Sequence, residues 1–372
     1  MPDQATLNHA AHVLAAISAD QRADTALRFY FERHRYLQPP ARRVISHTVF
    51  VYFRWLSWLD PKASPQKRLE HASALHERFV AEPASIKAAA LAALAVPGWL
   101  AREMELPAEY LRQLQRDPAL WLRARPGQGD ALAKSLFACE RTGRSPDALR
   151  FTGTQDLFKT EQFKTGEFEI QDLASQLVSL GAAPVPGETW WDACAGEGGK
   201  TLHLADLMRN KGVVWASDRH TGRLDTLKRR AARAKLFNYR AALWDGSAKL
   251  PAKTKFDGIL VDAPCSGVGT WQRNPHARWT TTPDDVRELA ATQLVLLTHV
   301  AGSLKPGGRL VYSVCTLTRS ETTGVADVFT AMHPELEPSP LASLGTTDAS
   351  LRLWPHELNA NGMFIAAWRQ KK

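Results

Sequence analysis

The chain of 372 residues has little cysteine and no long apolar run. Four cysteines in a chain of this length do not form the disulfide framework of a small secreted protein, and they lack the paired spacing of a zinc site. The longest uncharged apolar stretch, residues 88–101, is too short to cross a bilayer and contains Pro97 and Gly98. We therefore expect no membrane contact, no bound metal and a reducing compartment.

The first residues also lack the basic and then apolar pattern of a secretory signal, since the sequence begins Met-Pro-Asp-Gln. We predict a cytoplasmic protein. The charge is not balanced, because 47 Lys and Arg face 38 Asp and Glu, a formal net charge of +9. A basic surface attracts polyanions, which makes nucleic acid a leading class of partner, although the same excess also serves solubility.

The hydrophobic pattern divides the chain into three regions. Residues 1–116 have the Ala/Leu-rich periodicity of helices, interrupted at Pro39-Pro40, Asp60-Pro61 and Pro97-Gly98. Residues 117–185 combine short strand-like runs with a helix-like stretch, which is typical of a small α/β domain. Residues 186–372 alternate strands and helices and predict a doubly wound parallel sheet. The length agrees with two or three domains.

Basic side chains are concentrated at three places, and at two of them aromatic residues accompany them. In the helical region we expect the aromatic residues to be core and the arginines to be solvated. Residues 271–279 mix guanidinium with indole, which suits phosphates and unstacked bases, with an ordered connector as the alternative. The third group is a helix face that we expect to be solvated. The first group comprises Arg42, Arg43, His47, Tyr52, Arg54 and Trp55, and the third comprises Lys228, Arg229, Arg230, Arg233 and Lys235.

A glycine-rich loop follows the first predicted strand of the third region. Residues 188–201 read Glu-Thr-Trp-Trp-Asp-Ala-Cys-Ala-Gly-Glu-Gly-Gly-Lys-Thr, as strand, turn and helix. Glycine allows a tight turn and a close approach of the backbone to a ligand at the carboxyl end of a strand. Asp218 ends the next predicted strand, where a carboxylate accepts hydrogen bonds from ribose hydroxyls, and Asp245 follows the strand after it, within reach of an adenine amino group. Each aspartate taken alone is more often a helix cap.

Two cysteines follow neighbouring predicted strands. Residues 256–267 read Phe-Asp-Gly-Ile-Leu-Val-Asp-Ala-Pro-Cys-Ser-Gly and deliver Asp262 and Cys265 into a loop. Residues 309–317 read Arg-Leu-Val-Tyr-Ser-Val-Cys-Thr-Leu and deliver Cys315 in the same way. Open α/β sheets bind ligands at this edge, so both thiols should lie there. Cysteine is often only a small buried apolar residue, but the turn residues here favour a reactive role.

These motifs resemble those of the RsmB-like (Fmu/Sun) RNA cytosine-5 methyltransferases, a family with bacterial members that modify small-subunit ribosomal RNA. The resemblance runs from Trp121 to the end of the chain and is most specific for the Asp-Ala-Pro-Cys-Ser-Gly loop paired with the Cys315 strand. It implies a Rossmann-like methyltransferase core, S-adenosylmethionine as cofactor and RNA, first of all ribosomal RNA, as partner. The helical region resembles, more loosely, the RNA-binding module that precedes the core in this family.

The resemblance also implies roles for individual residues. Cys315 would attack carbon-6 of cytosine, which turns the poorly nucleophilic carbon-5 into an enamine carbon, and Cys265 would assist breakdown of the adduct. Asp262 would hydrogen-bond or protonate ring nitrogen 3. Lys200 would lower a nearby thiol pKa or simply begin a helix. The cofactor contacts carried over by motif are Cys194, Ala195, Gly196, Glu197, Gly198, Gly199, Lys200, Asp218, Asp245 and Asp262.

The sequence departs from the family's usual residues at Glu197, Val314 and Thr322, none of which removes a reacting group. A DNA cytosine-5 methyltransferase is a rival interpretation, because the Pro-Cys thiol is the attacking one there, but such an enzyme has no need of Cys315. Two alternatives stay open: a transfer RNA cytosine-5 methyltransferase, and a ribosome-assembly factor that binds RNA without turnover. The sequence does not name the target nucleotide.

Overall fold

The computed structural model describes residues 1–18, 21–251 and 253–372. These residues form two compact units. The first consists of Met1–Pro118 with Thr270–Pro283, and the second of Ala119–Gly269 with Asp284–Lys372. The predicted boundaries after residues 116 and 185 stay predictions, but residues 270–283, which lie inside the predicted third region, belong to the helical unit.

Helices and strands follow one another in the order that the sequence pattern suggests. The helices are α1 (Gln4–Ala15), α2 (Ala23–Arg33), α3 (Pro39–Arg54), α4 (Pro65–Ala81), α5 (Ala88–Leu94), α6 (Ala108–Gln113), α7 (Gly129–Leu136), α8 (Glu161–Lys164), α9 (Leu173–Ala182), α10 (Gly199–Leu207), α11 (Thr221–Arg233), α12 (Ala277–Thr280), α13 (Pro283–Ala301), α14 (Thr323–Met332) and α15 (Pro355–Leu358). The strands are β1 (Leu120–Ala124), β2 (Cys139–Arg141), β3 (Ala148–Phe151), β4 (Phe168–Ile170), β5 (Thr189–Asp192), β6 (Val213–Asp218), β7 (Tyr239–Leu243), β8 (Phe256–Asp262), β9 (Leu304–Val314), β10 (Leu336–Pro338), β11 (Ser350–Leu353) and β12 (Met363–Gln370). Among the described residues, we find no helix with the length and apolarity that crossing a membrane requires.

Helices α1 to α6 build most of the first unit, and two of them begin with proline. Pro39 and Pro65 each occupy the first turn of a helix, where a missing N–H costs no hydrogen bond. Trp55 and Tyr52 are buried, which confirms the prediction that these aromatic residues are core. Arg54 corrects the prediction for the arginines. It is buried because its guanidinium is paired with Asp117, at 2.9 Å between Nη1 and Oδ1.

Residues 270–283 are fixed within the helical unit by buried side chains and hydrogen bonds. Arg278 is fully buried and donates to the backbone carbonyls of Ala95 (2.9 Å) and Leu114 (3.0 Å). Trp271 is also fully buried, and the indole N–H of Trp279 donates to a carbonyl in α3 at 2.7 Å. The interpretation of this segment as a binder of phosphates and bases is therefore wrong for its buried residues, and the connector alternative is the correct one.

The small α/β region contains a four-stranded antiparallel sheet in the order β2-β3-β1-β4. The two strand-like runs of the sequence are β1 and β3. The helix predicted over 130–139 ends earlier, at Leu136, because Phe137 takes the left-handed conformation with φ 60° and turns the chain into β2. Because this residue with positive φ is phenylalanine and not glycine, the sequence carries no signal for the end of the helix.

The second unit contains the predicted doubly wound sheet, in the order β10-β12-β9-β8-β5-β6-β7. Strands β7, β6, β5, β8 and β9 are parallel. The expectation of an all-parallel sheet is wrong at one end, where β12 pairs antiparallel with β9 and carries β10 and β11, also antiparallel. The strand order reverses between β5 and β8, and ligands of such sheets bind at the carboxyl ends of the strands at this reversal.

Alternate residues of each central strand face opposite layers, which explains the nearly continuous apolar runs. Trp190 packs in one core cluster with α9 and α10, and Trp191 packs in the other with α13 and α14. Leu260 and Ile259 divide in the same way along β8. A parallel strand covered by helices on both faces has no solvated side, so its sequence does not alternate.

Candidate active site

The glycine-rich loop joins β5 to α10, as the sequence predicts. The N–H of Gly198 donates to the carbonyl of Ala195 at 2.9 Å and closes the turn. Gly198 has φ 87°, in the left-handed region, and a Cβ there would lie 2.6 Å from Cγ of Leu227, so only glycine fits. Where Gly196 and Gly199 would carry a Cβ, the space is open, so a ligand can approach the loop backbone there.

Asp218 is the last residue of β6, and its carboxylate holds the glycine loop in place through a hydrogen bond. Its Oδ2 accepts a hydrogen bond from the N–H of Gly196 (3.1 Å), and its Oδ1 accepts one from the N–H of His220 (2.8 Å). Its side chain is 7% exposed. The carboxylate that the sequence assigns to a ribose is therefore in direct contact with the loop that the sequence assigns to the same cofactor.

Asp245 lies just beyond β7 and is exposed, with Oδ1 accepting from the N–H of Ser247 at 3.0 Å. It lines a cavity of about 510 Å³ together with Arg219 and Trp244. A cavity of this size is within the range of small-molecule and cofactor sites. The parallel strands thus bring Asp218, Asp245 and Asp262 to the same edge of the sheet.

Asp192 ends β5 and is a residue to which the sequence reasoning gave no role. It is fully buried, and its Oδ2 accepts from the hydroxyl of Thr201 at 2.6 Å. Burial raises its pKa to about 7, against the opposing effect of that hydrogen bond. Its Oδ1 is buried and has no hydrogen-bond partner in the described part of the chain. The sequence does carry a signal for Asp192. It is a polar residue at the end of an apolar strand, directly before a glycine loop.

Lys200 and Asp262 form an ion pair at the switch between β5 and β8. The Lys200 ammonium donates to Oδ2 of Asp262 at 2.6 Å, and the hydroxyl of Ser313 donates to Oδ1 at 2.7 Å. Burial alone would lower the pKa of Lys200, but the charge and hydrogen bond of Asp262, together with the charges of Cys315 and Asp192, outweigh burial and raise it. The lysine therefore stays protonated beside the thiols.

Cys265 and Cys315 come together, with 3.2 Å between their sulfur atoms, and neither is in a disulfide. Parallel pairing of β8 with β9 brings the two following loops side by side. The N–H of Gly269 donates to the carbonyl of Cys315 at 3.0 Å and ties the loops together. The prediction that both thiols lie at the carboxyl edge is confirmed in position.

The two thiols are electrostatically different. The hydrogen bond with Cys265 and the charge of Lys200 lower the pKa of Cys315, against the effect of burial. The same hydrogen bond, followed by burial, raises the pKa of Cys265. Of the two thiols, Cys315 is therefore the one that ionises more readily. Reactive cysteines in proteins have this kind of environment.

A buried carboxylate, Glu321, connects the two cysteine loops. Its Oε1 accepts from the N–H of Ser266 (2.8 Å) and from Nε2 of Gln293 (3.0 Å). Its Oε2 accepts from the hydroxyls of Thr318 (2.8 Å), Thr316 (3.2 Å) and Ser266. Ser266 follows one cysteine and Thr316 follows the other. Sequence reasoning missed this role, although an acidic residue within a run of hydroxyl residues after a reactive cysteine was the available signal.

The remaining predicted contacts and departures have simple surroundings. Cys194 lies in the loop, and burial, followed by the charge of Asp192, raises its pKa, so it is a thiol. Glu197 is exposed, and its backbone carbonyl accepts from Arg230. Val314 is buried core, and the hydroxyl of Thr322 donates to the carbonyl of Thr318 at 2.7 Å. Within the described residues, neither Val314 nor Thr322 makes a hydrogen bond to a sulfur atom of the two cysteines.

The basic face of α11 is only partly solvated. Arg230 and Arg233 both pair with Glu169 of β4, at 2.9 and 2.5 Å, and thereby hold the small sheet against the core of the second unit. Lys228 pairs with Asp225 on the surface. The prediction of a solvated face is therefore wrong for the two arginines, whose charges are used within the protein.

Within the described residues, one group of side chains has the composition of a metal site, in the helical unit: His47, His76 and Asp117. Its donors are already engaged. Both histidines contact Oδ2 of Asp117, at 3.1 and 3.3 Å, and Arg54 contacts Oδ1. Burial would raise the pKa of Asp117, but these hydrogen bonds and the Arg54 charge hold it below its ordinary value. The group is a hydrogen-bonded ion-pair network around one carboxylate.

The sheet order, the loop after β5 and the carboxylates at its edge define the Rossmann-like fold of the methyltransferases. The model of the family described as 16S rRNA methyltransferase RsmB/F matches residues 180–369. This match covers just over half of the chain, so the chain belongs to this family, as the resemblance indicated. Two solved structures share the fold. PH0851 matches over the whole of both chains with a TM-score of 0.80 and 24% identity. A methyltransferase homologue from Pyrococcus horikoshii matches with a TM-score of 0.60 and 29% identity over 71% of this chain and 90% of its own.

Curated relatives carry names from the same family. The chain is 37% identical over 255 residues to "Probable ribosomal RNA small subunit methyltransferase B" of Bacillus subtilis, which covers 65% of this chain and 56% of that protein. It is 34% identical over 286 residues to a protein of the same name from Synechocystis, covering 72% of this chain and 63% of that protein. The chain therefore spans less than two thirds of the length of these relatives.

Proposed function

We propose that this chain transfers a methyl group from S-adenosylmethionine to carbon-5 of a cytosine in RNA, with small-subunit ribosomal RNA as the first candidate substrate. The observation that carries the proposal is the pair of sulfur atoms 3.2 Å apart, of which Cys315 has the lowered pKa, beside the Lys200–Asp262 ion pair. A nucleophilic thiol is what carbon-5 methylation of cytosine requires. Membership of the RsmB/F family supports the substrate class.

The residues at the edge of the sheet fit S-adenosylmethionine. The open space at Gly196 and Gly199 admits a ligand beside the loop, and the unpartnered Oδ1 of Asp192 offers a buried acceptor. Asp218 would hold ribose hydroxyls, and Asp245 would contact the adenine from the wall of its cavity. The bound cofactor supplies an electrophilic methyl group.

The Cys315 thiolate would form the first bond, to carbon-6 of the cytosine. Electron density moves from the ring double bond toward nitrogen 3, which would take the proton that the Lys200 ammonium passes through the Asp262 carboxylate, and Lys200 would stay neutral until nitrogen 3 returns that proton. Carbon-5 thereby becomes nucleophilic toward the methyl group. Because Asp262 is held from both sides, by Lys200 and Ser313, it needs little rearrangement to act.

Cys265 would act after methyl transfer. The contact with anionic Cys315 is the first cause of its raised pKa, and this cause disappears once Cys315 is bonded to carbon. Cys265 then loses its proton to solvent and, as thiolate, takes the proton from carbon-5. The electron pair of that C–H bond restores the ring double bond, nitrogen 3 returns its proton, and Cys315 leaves as a thiolate.

Asp218 and Asp245 are expected to contribute differently to the affinity for the cofactor. Asp218→Ala is expected to weaken S-adenosylmethionine binding by about 10- to 100-fold, because it removes the ligand contact and also the latch on the N–H of Gly196. Asp245→Ala should weaken it by less than about 10-fold, since this exposed carboxylate holds only the local turn at Ser247.

Isothermal titration calorimetry measures both effects. The matched control is Asp225→Ala, which removes an exposed carboxylate from α11 without touching the loop. Equal cofactor affinity of the parent and the Asp218 variant would contradict the assignment of the acidic series.

The proposed function is tested with the purified chain, S-adenosylmethionine and RNA that lacks the modification. We expect 5-methylcytosine in small-subunit ribosomal RNA, mapped at single-nucleotide resolution. Transfer RNA and a DNA oligonucleotide of matched sequence are the competing substrates. If only transfer RNA or only the DNA oligonucleotide is methylated, that nucleic acid replaces ribosomal RNA as the proposed substrate. RNA binding without methylation of any substrate would favour the assembly-factor alternative.

A further inference from the structure

A cavity of about 350 Å³ lies on the helical unit, remote in sequence from all the residues discussed above as catalytic. Its walls are almost entirely rings with polar edges. They come from α1, from the end of α2 and from the loop that follows α2. The lining residues are Asn8, His9, His12, Tyr30, His34 and Tyr36.

These rings are not core residues. Helix α1 packs its core through Leu7, Ala10 and Val13, whereas Asn8 and His12 are exposed. Tyr36 is 66% exposed. Folding of the unit therefore does not require large aromatic side chains here, and an accessible group of rings around one cavity is a feature of ligand sites.

The rings are held in fixed orientations. Tyr30 and His34 stack with 4.0 Å between ring centroids and 20° between planes, and His9 meets Tyr30 edge-on. Nδ1 of His9 lies 2.7 Å from the Tyr30 hydroxyl. Tyr36 meets His34 edge-on, with centroids 5.9 Å apart. Such a cluster presents aromatic surface without losing side-chain entropy when a ligand binds.

The loop that carries Tyr36 is also braced and basic. The Arg42 guanidinium donates to the carbonyls of Leu37 (2.7 Å) and Arg35 (3.2 Å), on both sides of Tyr36. Residues 28–43 contain five arginines and a single acidic residue, Glu32. Aromatic rings beside a concentration of guanidinium groups are the combination with which proteins bind single-stranded nucleic acid.

We propose that this cavity binds an unpaired base of the RNA, stacked against Tyr36, with the flanking phosphates along the arginines of residues 28–43. Stacking uses the π-face that every base has, so the site tolerates any sequence and positions the strand without choosing the target. This proposal rests on the proposed function in taking RNA as the substrate, and it adds a second contact on the helical unit.

The test measures binding of the full chain to a short single-stranded RNA that contains the fluorescent base 2-aminopurine. We expect Tyr36→Ala to raise the Kd by about 5- to 100-fold, the loss of one stacked base, and to abolish the quenching that stacking causes. Tyr36→Phe keeps the ring and should bind like the parent. Phe29→Ala is the matched control, because Phe29 is 44% exposed in α2 but does not line the cavity.

Three results would overturn the proposal: an unchanged Kd for Tyr36→Ala, an equal loss for Tyr36→Phe, or an equal loss for Phe29→Ala. Cofactor affinity and the thermal unfolding curve should be the same in all variants, which shows that both units are folded. If the parent methylates RNA but Tyr36→Ala binds it normally, only the cavity proposal fails. If the parent neither binds nor methylates RNA, the proposed function fails as well.

Discussion

Cys315→Ala is expected to lower methylation by at least about 1,000-fold and to leave no covalent protein–RNA adduct, because the bond to carbon-6 never forms. Cys265→Ala is expected to behave differently. It should still add to the base and transfer the methyl group, and then stall, because the base that removes the carbon-5 proton is missing. Denaturing gels with labelled RNA will then show protein attached to RNA through Cys315.

The matched control is Cys139→Ala, which removes a thiol from β2 of the small sheet, in a separate core cluster from the two catalytic candidates. It should methylate like the parent and trap nothing. The opposite pattern, an adduct in the Cys315 variant and none in the Cys265 variant, would reverse the roles of the two sulfur atoms. Modest instability without adducts in both variants would mean that the two thiols only pack.

Glu321→Ala is expected to lower the methylation rate by about 100-fold, because it releases the two cysteine loops from their common acceptor and displaces the sulfur atoms. Glu321→Gln should retain much more activity. Its amide oxygen can still accept from the N–H of Ser266, and its NH₂ group can donate to hydroxyls that rotate to accept. Steady-state methylation measures both variants.

A pH profile distinguishes a positioning and electrostatic role from simple support of the fold. The charge on Glu321 raises the pKa of both thiols. Its removal in Glu321→Gln therefore lowers the pKa of Cys315, and the rise of activity with pH should move toward lower pH. Thr330→Ala, which removes the acceptor of the Trp368 indole N–H, is a control for lost stability alone and should leave the profile in place. An unmoved profile in Glu321→Gln would contradict the electrostatic part of this role.

Most of the fold follows from local pattern. The apolar runs at residues 189–192 and 256–262 and the turns after them were sufficient to predict strands β5 and β8 and their carboxyl ends. Antiparallel β12 was not predictable in this way. A buried antiparallel strand and a buried parallel strand have the same apolar composition, and the direction of β12 is decided by pairing with β9, far away along the chain.

Predictions for the basic and aromatic segments failed where burial decides the role. The sequence suggested that Arg54 and Arg278 are surface charges. Both are fully buried, and both donate hydrogen bonds to groups that are remote in sequence. An arginine is buried only when the fold supplies acceptors for its donors, and those acceptors are invisible in the sequence around it. The aromatic cavity of the helical unit escaped prediction for the same reason, since α1 and the loop after α2 meet only in three dimensions.

By itself, the sequence determined the family, the parallel core of the sheet and the presence of Asp262, Cys265 and Cys315 at its carboxyl edge. Strands that alternate with helices pair in parallel, and turn residues mark the loops that follow their carboxyl ends. Only the tertiary structure decided how the two thiols differ. Their difference arises from a 3.2 Å contact between the two sulfur atoms and from the Lys200 charge, which lowers the pKa of Cys315. These effects act through space over a few ångströms, between groups that the chain separates by tens of residues.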